Sequence, residues 1–149
     1  MKTSFESLSY EFALSIVSVY KELSSKKAYT LSSQILRSGT AIRALYSEAK
    51  YAQSKADFIS KLSIARKECN ECLYWIELLH DSGLLNENQF HKLHTTCTSL
   101  LKILTAMIKT SIVNSAKPPE YPIPCPHSTV PSPQYLVPGT YRVLLLCPP

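Results

Sequence analysis

Proline is missing from the first 117 residues of this chain, and glycine is nearly so, with only Gly39 and Gly83 before that point. A phosphate-binding loop needs clustered glycines, which three in the whole chain cannot supply. No stretch of residues 1–117 alternates apolar and polar residues as a half-buried strand does; Tyr141–Cys147 is expected to pair as a strand or to stay disordered. No run of about 18 apolar residues marks a membrane span. No basic start followed by an apolar run marks a signal peptide. The five cysteines, at 69, 72, 97, 125 and 147, are odd in number and too dispersed for a disulfide framework. A cytoplasmic protein with reduced thiols is expected.

The prolines that exist are all at or after Pro118, and that boundary also divides the charge. Fifteen of the 16 basic residues and ten of the 11 acids precede it, so residues 1–117 carry the whole net charge of +5. The stretch 118–149 holds one acid, Glu120, and one base, Arg142. Its prolines forbid regular helix and discourage a central strand. The expected organisation is a folded unit over 1–117 followed by a proline-rich tail, disordered or foreign to the domain, over 118–149. Deleting that tail is expected to leave the thermal melt unchanged.

Residues 1–117 read as four amphipathic helices. The first covers roughly 5–25, with Leu8, Phe12, Ile16, Val19 and Leu23 on one face. The second, capped by Thr30, repeats Leu31, Ile35, Ser38, Ile42, Leu45, Ala49 and Ala52. Gly39 inside it marks a bend or a close approach of another helix. The third starts at Ser54, with Asp57 three residues on, and repeats Phe58, Leu62, Ala65, Cys69, Cys72, Ile76 and Leu79. Gly83 suits the left-handed position that ends it. Asn86 and Gln89 form a capping box for the fourth, which repeats Phe90, Leu93, Cys97, Leu100, Leu104 and Met107. Short connections favour antiparallel neighbours, hence an all-α, up-down-up-down four-helix bundle.

Cys69-x-x-Cys72 invites a redox or zinc reading. A redox pair needs an exposed helix N-terminus, where the dipole lowers a thiol pKa, and this pair sits mid-helix on the buried stripe. For zinc, His91-x-x-His94 would have to complete the site. About a turn centred near Leu84, Cys72 and His91 differ in height by roughly 7 Å at ~1.5 Å per residue, against a reach of about 2.3 Å. The thiols are therefore expected to be core, with Cys72 and Cys97 as close neighbours and no metal or cofactor. No catalytic constellation is found either. His80, His91 and His94 read as solvated imidazoles near a helix end. Glu68, Glu71 and Glu77 read as solvent face, and no Glu-x-x-His pattern occurs on two helices to hold a di-iron centre.

The basic residues carry more information. Arg37, Arg43, Lys50, Lys55, Lys61, Arg66 and Lys67 fall within 31 residues, with Tyr46 and Tyr51 interleaved. They are the candidate nucleic-acid-binding residues, on the second and third helices, set against the plain alternative of a solvated face.

From Leu31 to Phe90 the chain resembles the bacterial four-helix-bundle proteins encoded in intervening sequences of 23S ribosomal RNA genes. The run Ser33-Gln-Ile-Leu-Arg-Ser-Gly-Thr-Ala-Ile42 carries the resemblance, with Glu48-Ala49 and Gln53-Ser-Lys-Ala-Asp-Phe58. Lys61-Leu-Ser-Ile-Ala65, then Glu68, Glu71, Tyr74 and Trp75, continue it, and similarity extends over roughly 10–112. The resemblance implies a non-catalytic bundle that assembles with copies of itself, as ring-like pentamers in similar proteins. Related bundles are accessory variability determinants of diversity-generating retroelements, where they bind a reverse transcriptase and template RNA. Expected partners are thus another copy of the chain, RNA or DNA, and a reverse transcriptase, with no membrane. The alternative is a structural or protein-interaction bundle without a nucleic-acid role, contacting its partner through Tyr46, Tyr51, Tyr74 and Trp75. Arg43-Ala44-Leu45-Tyr46 departs from the family pattern, which usually has Gly-Ala-Asn there and so no arginine.

Overall fold

The computed structural model describes residues 4–116, and the expectations for 118–149 lie outside them. Four helices account for nearly all of these residues: α1 (Phe5–Ser25), α2 (Tyr29–Ala49), α3 (Lys55–Asp81) and α4 (Glu87–Ala116), with no strand among them. Each helix packs on the next in sequence, and α1 meets α4 more sparingly to close the bundle.

The apolar stripes meet along one seam. Phe12, Ile16 and Leu23 of α1 and Ile35 and Ile42 of α2 are buried. Leu62, Cys69, Ile76 and Leu79 of α3 and Leu93, Leu100 and Leu104 of α4 join them. Each such aliphatic side chain contributes about 1.5–3 kcal/mol relative to exposure. By length and composition alone α4 could cross a membrane over Glu87–Val113. Here its apolar stripe is the bundle's own seam. At Gly39 α2 lies tight against α1: a Cβ there would lie 2.8 Å from Ile16 Cγ1.

Two turns at one end of the bundle use the same device. After α3, Gly83 takes φ +72°, its N–H donates to the His80 carbonyl, and Leu84 N–H donates to Leu79. After α1, Lys27 takes φ +61°, its N–H donates to Ser24, and Ala28 N–H donates to Leu23. Both are Schellman caps. The second corrects the expected N-cap at Thr30. Because the chain reverses at Lys27, α2 begins at Tyr29, after Ala28, with no side-chain cap. At its far end α2 stops at Ala49, before Ala52. The other caps match expectation. Ser54 Oγ accepts from Asp57 N–H at 3.1 Å. Asn86 and Gln89 bond reciprocally, at 2.9 and 3.1 Å.

The thiols are in the core, with one shift of register. Cys97 Sγ lies 3.5 Å from Cys69 Sγ, and each thiol also donates to the other's carbonyl at 3.4 Å. The hairpin therefore pivots at Gly83, equidistant in sequence from both, and not at Leu84. Cys72 is the second thiol acting on Cys97. Hydrogen bonding to Cys69, then to Cys72, and then burial push the Cys97 pKa upward. All three thiols are inaccessible, which is the environment of an inert core cysteine.

Candidate nucleic-acid interface

Seven cations were expected to form one wet surface. The helices instead divide them into two groups. Arg37 reaches from α2 to α3, pairing with Glu71 and lying 3.6 Å from Glu68 Oε2. That Glu68 oxygen is buried and has no hydrogen-bond partner, so Arg37 supplies the one positive charge beside it. Arg43 donates to Glu6 Oε1 at 2.7 Å and to Ser47 at 2.6 Å, with its guanidinium 5.7 Å from the Tyr46 ring centre. Lys50 meets the other oxygen of Glu6 at 3.0 Å. The hydrogen bond and charge of Lys50, and then Arg43, hold the Glu6 carboxyl below the usual range. Lys61 pairs with Glu48 at 2.8 Å, which raises the ammonium pKa.

These four cations join α2 to α1 and α3. Arg43 stitches α2 to the start of α1. Tyr46 beside it packs on Phe5, ring centres 4.6 Å apart. The remaining three candidates, Lys55, Arg66 and Lys67, lie along α3, exposed and without an ion-pair partner among the described residues. Of the aromatic residues weighed as contacts, Tyr46 and Trp75 pack against the core. Trp75 also donates to Glu71. Tyr51 and Tyr74 are exposed, Tyr51 at 87%.

Two cations that sequence reasoning passed over belong with the free ones. Lys102 and Lys109 are seven residues apart on α4, both exposed. Arg66, Lys67, Asn70 and Glu71 line a shallow depression with Leu101 and Thr105 of α4. Leu101 and Thr105 also line the adjoining depression, with Lys102, Ala106 and Lys109. The signal for α4 was available: after Glu87 the helix has no carboxylate, and its two lysines share a face.

The opposite end of the same hairpin is arranged differently. His80 Nε2 is 2.9 Å from Glu87 Oε2, and its ring stacks on Phe90 with centres 4.1 Å apart. His91 also meets Glu87, at 2.9 Å, and His94 meets Glu77 at 3.4 Å. The hydrogen bond to Glu87 raises the His80 pKa, and the reciprocal bond lowers that of Glu87. No three metal-ligating side chains converge among the described residues. Cys69 and Cys72 face the core while these histidines face the turn, so the two motifs do not form one site.

With this geometry in place, the chain can be set beside known proteins. Residues 3–106 match the family described as 23S rRNA-intervening sequence protein. A crystal structure of a protein of unknown function from the S23 ribosomal protein family, from Bacteroides thetaiotaomicron, is 44% identical with a TM-score of 0.69. The match covers 71% of this chain and 99% of that one. No curated protein matches the chain.

Proposed function

The chain belongs to the 23S rRNA-intervening sequence protein family, and from that premise we propose that it is a non-catalytic, cytoplasmic bundle that binds RNA through a basic surface. One observation carries this reading. Of the thirteen lysines and arginines in 4–116, five are paired with carboxylates on the bundle's surface and eight have no such partner among the described residues. Unpaired, solvated cations contribute little to holding a fold together and are available to phosphates. The same helices offer no nucleophile beside a base: the three described thiols are sealed in the core, and the histidines pair with carboxylates.

Assembly with copies of itself is part of the proposal. Tyr10 and Leu14 lie one turn apart on α1 and are 57% and 53% exposed. Such a patch costs less when covered by another subunit. Resemblance to the accessory determinants adds a reverse transcriptase as a protein partner.

The test is size exclusion coupled to light scattering, with and without RNA, at low and at physiological salt. A mass increase at low salt that fades as salt rises is expected. No increase at either salt would leave a protein-interaction bundle without a nucleic-acid role.

A further inference from the structure

The free cations do not scatter evenly over the four helices. Arg66 and Lys67 border a depression between α3 and α4, and Lys102 and Lys109 border an adjoining one along α4; the two share Leu101 and Thr105. The hairpin register gives their spacing. With the pivot at Gly83, Lys102 comes level with Ile64 and Lys109 with Asp57. The four charges therefore span about ten residue levels, roughly 15 Å at ~1.5 Å rise per residue. Four cations spread along that span can each meet one phosphate of a strand laid along it.

Carboxylates leave this strip open. Glu71 is the one acid lining it, and it is held by Arg37 and by the Trp75 Nε1–H. Asp57, level with Lys109, accepts from the Gln53 N–H ahead of its own helix. No aromatic side chain lines either depression, so there is no platform on which a base could stack. The lining is a row of cations over an aliphatic floor with two neutral polar groups. Asn70 is exposed and offers its amide. Thr105 spends its hydroxyl proton on the Leu101 carbonyl and keeps acceptor capacity. A ribose 2′-hydroxyl is both donor and acceptor and suits that pair.

We propose that the α3–α4 groove bordered by Arg66, Lys67, Lys102 and Lys109 is the RNA-binding site, and that it grips the sugar–phosphate backbone of a single strand without reading bases. The proposal rests on the RNA-binding reading above and narrows it to one groove and one mode of contact. It moves the interface from α2 and α3 to α3 and α4. Arg37, Arg43, Lys50 and Lys61 then serve the fold.

The experiment titrates a fluorescent single-stranded RNA, and the DNA of the same sequence, into the full chain across a salt series. It compares the wild type with two triple variants. The first is R66Q/K102Q/K109Q, in the groove. The second, K21Q/K27Q/K92Q, removes the same charge from exposed positions outside it. Four phosphates on a single strand predict a log–log salt slope of about −3, which is about 60-fold in affinity between 50 and 200 mM. The groove triple should flatten the slope by about 2, at roughly 0.7 per contact, while the control triple keeps the wild-type slope. Helicity and thermal melt, recorded for both, should match the wild type. RNA should bind more tightly than DNA, and homopolymers of different bases alike. Equal weakening by both triples would overturn the groove while leaving RNA binding intact. A strong base preference, or DNA bound as well as RNA, would overturn the mode of contact. A wild type that binds nothing would sink the parent reading and the groove with it.

Discussion

The α3–α4 hairpin carries charge at both ends and uses it in opposite ways. Near the turn, Glu77 and Glu87 are matched by His80, His91 and His94, with Phe90 stacked among the rings. At the far end, Arg66, Lys67, Lys102 and Lys109 stand without carboxylate partners among the described residues. The difference lies in where the acids fall. α4 has a single carboxylate, Glu87, and it stands at the first residue, beside its N-terminus. There it favours the helix dipole and draws histidines from both helices. The rest of α4 has nothing to offer the lysines. One end of the hairpin is electrostatically closed, and these four cations at the other have no ion pair among the described residues.

The most damaging way to probe that contrast is to cut the seam joining the two ends. Leu100 is fully buried and sits at the height of Arg66. Leu100→Ala is expected to cost about 2–5 kcal/mol. Trp75, the single tryptophan, is in the turn half and reports on it by fluorescence, while circular dichroism reports on all four helices. In denaturant both signals should shift together, with superimposable transitions. Separate transitions would mean that the two ends unfold independently.

A smaller effect is expected at the two Schellman caps. Gly83 and Lys27 do the same work at φ +72° and +61°, but only glycine does it without strain. A Cβ on Gly83 would meet nothing within 4 Å, so Gly83→Ala isolates the backbone term, about 1–2 kcal/mol of lost stability. Lys27→Gly should gain up to about 1 kcal/mol, part of the relieved strain being offset by the freedom glycine has when unfolded. Midpoints of thermal unfolding check both. A gain from Gly83→Ala would show that the cap geometry is wrong.

Those caps also show what could be read in advance. Gly83 announced its turn, and Ser54 and the Asn86–Gln89 box announced theirs, because each residue type has a local physical preference for its position. Lys27 has none, so the sequence points to Thr30 as the N-cap of α2, where the structure has Ala28. The four stripes were legible because burial imposes one period on each. Cys72 does neighbour Cys97, as its spacing predicts, but the level partner is Cys69, because register depends on where the chain pivots and a pivot error of one residue displaces level partners by two. The candidate interface was the least legible. A run of cations along the chain says nothing about which carboxylates will lie opposite. Arg43 and Lys50 look free until α1 brings Glu6 beside them, and Lys102 looks isolated until α3 places Arg66 nearby.

The mildest test of the two ends is pH. His80 has its folded pKa raised above 6.5 by Glu87, and Glu87 has its own lowered below 4.5 by His80. A raised histidine gives its full contribution below the unfolded value and loses it as pH climbs through the folded one. A lowered carboxyl contributes above its unfolded value and loses it as pH falls through the folded one. The pair therefore favours the native state most between about pH 4.5 and 6.5 and fades on either side. His80→Gln should flatten that part of the stability–pH curve, measured by urea midpoints at steps across pH 4–8. Lys102→Gln, at the open end, should leave the curve's shape intact and its height within about 0.5 kcal/mol. The comparison breaks if His80→Gln leaves the pH dependence untouched, because the turn end would then be no more closed than the cationic one.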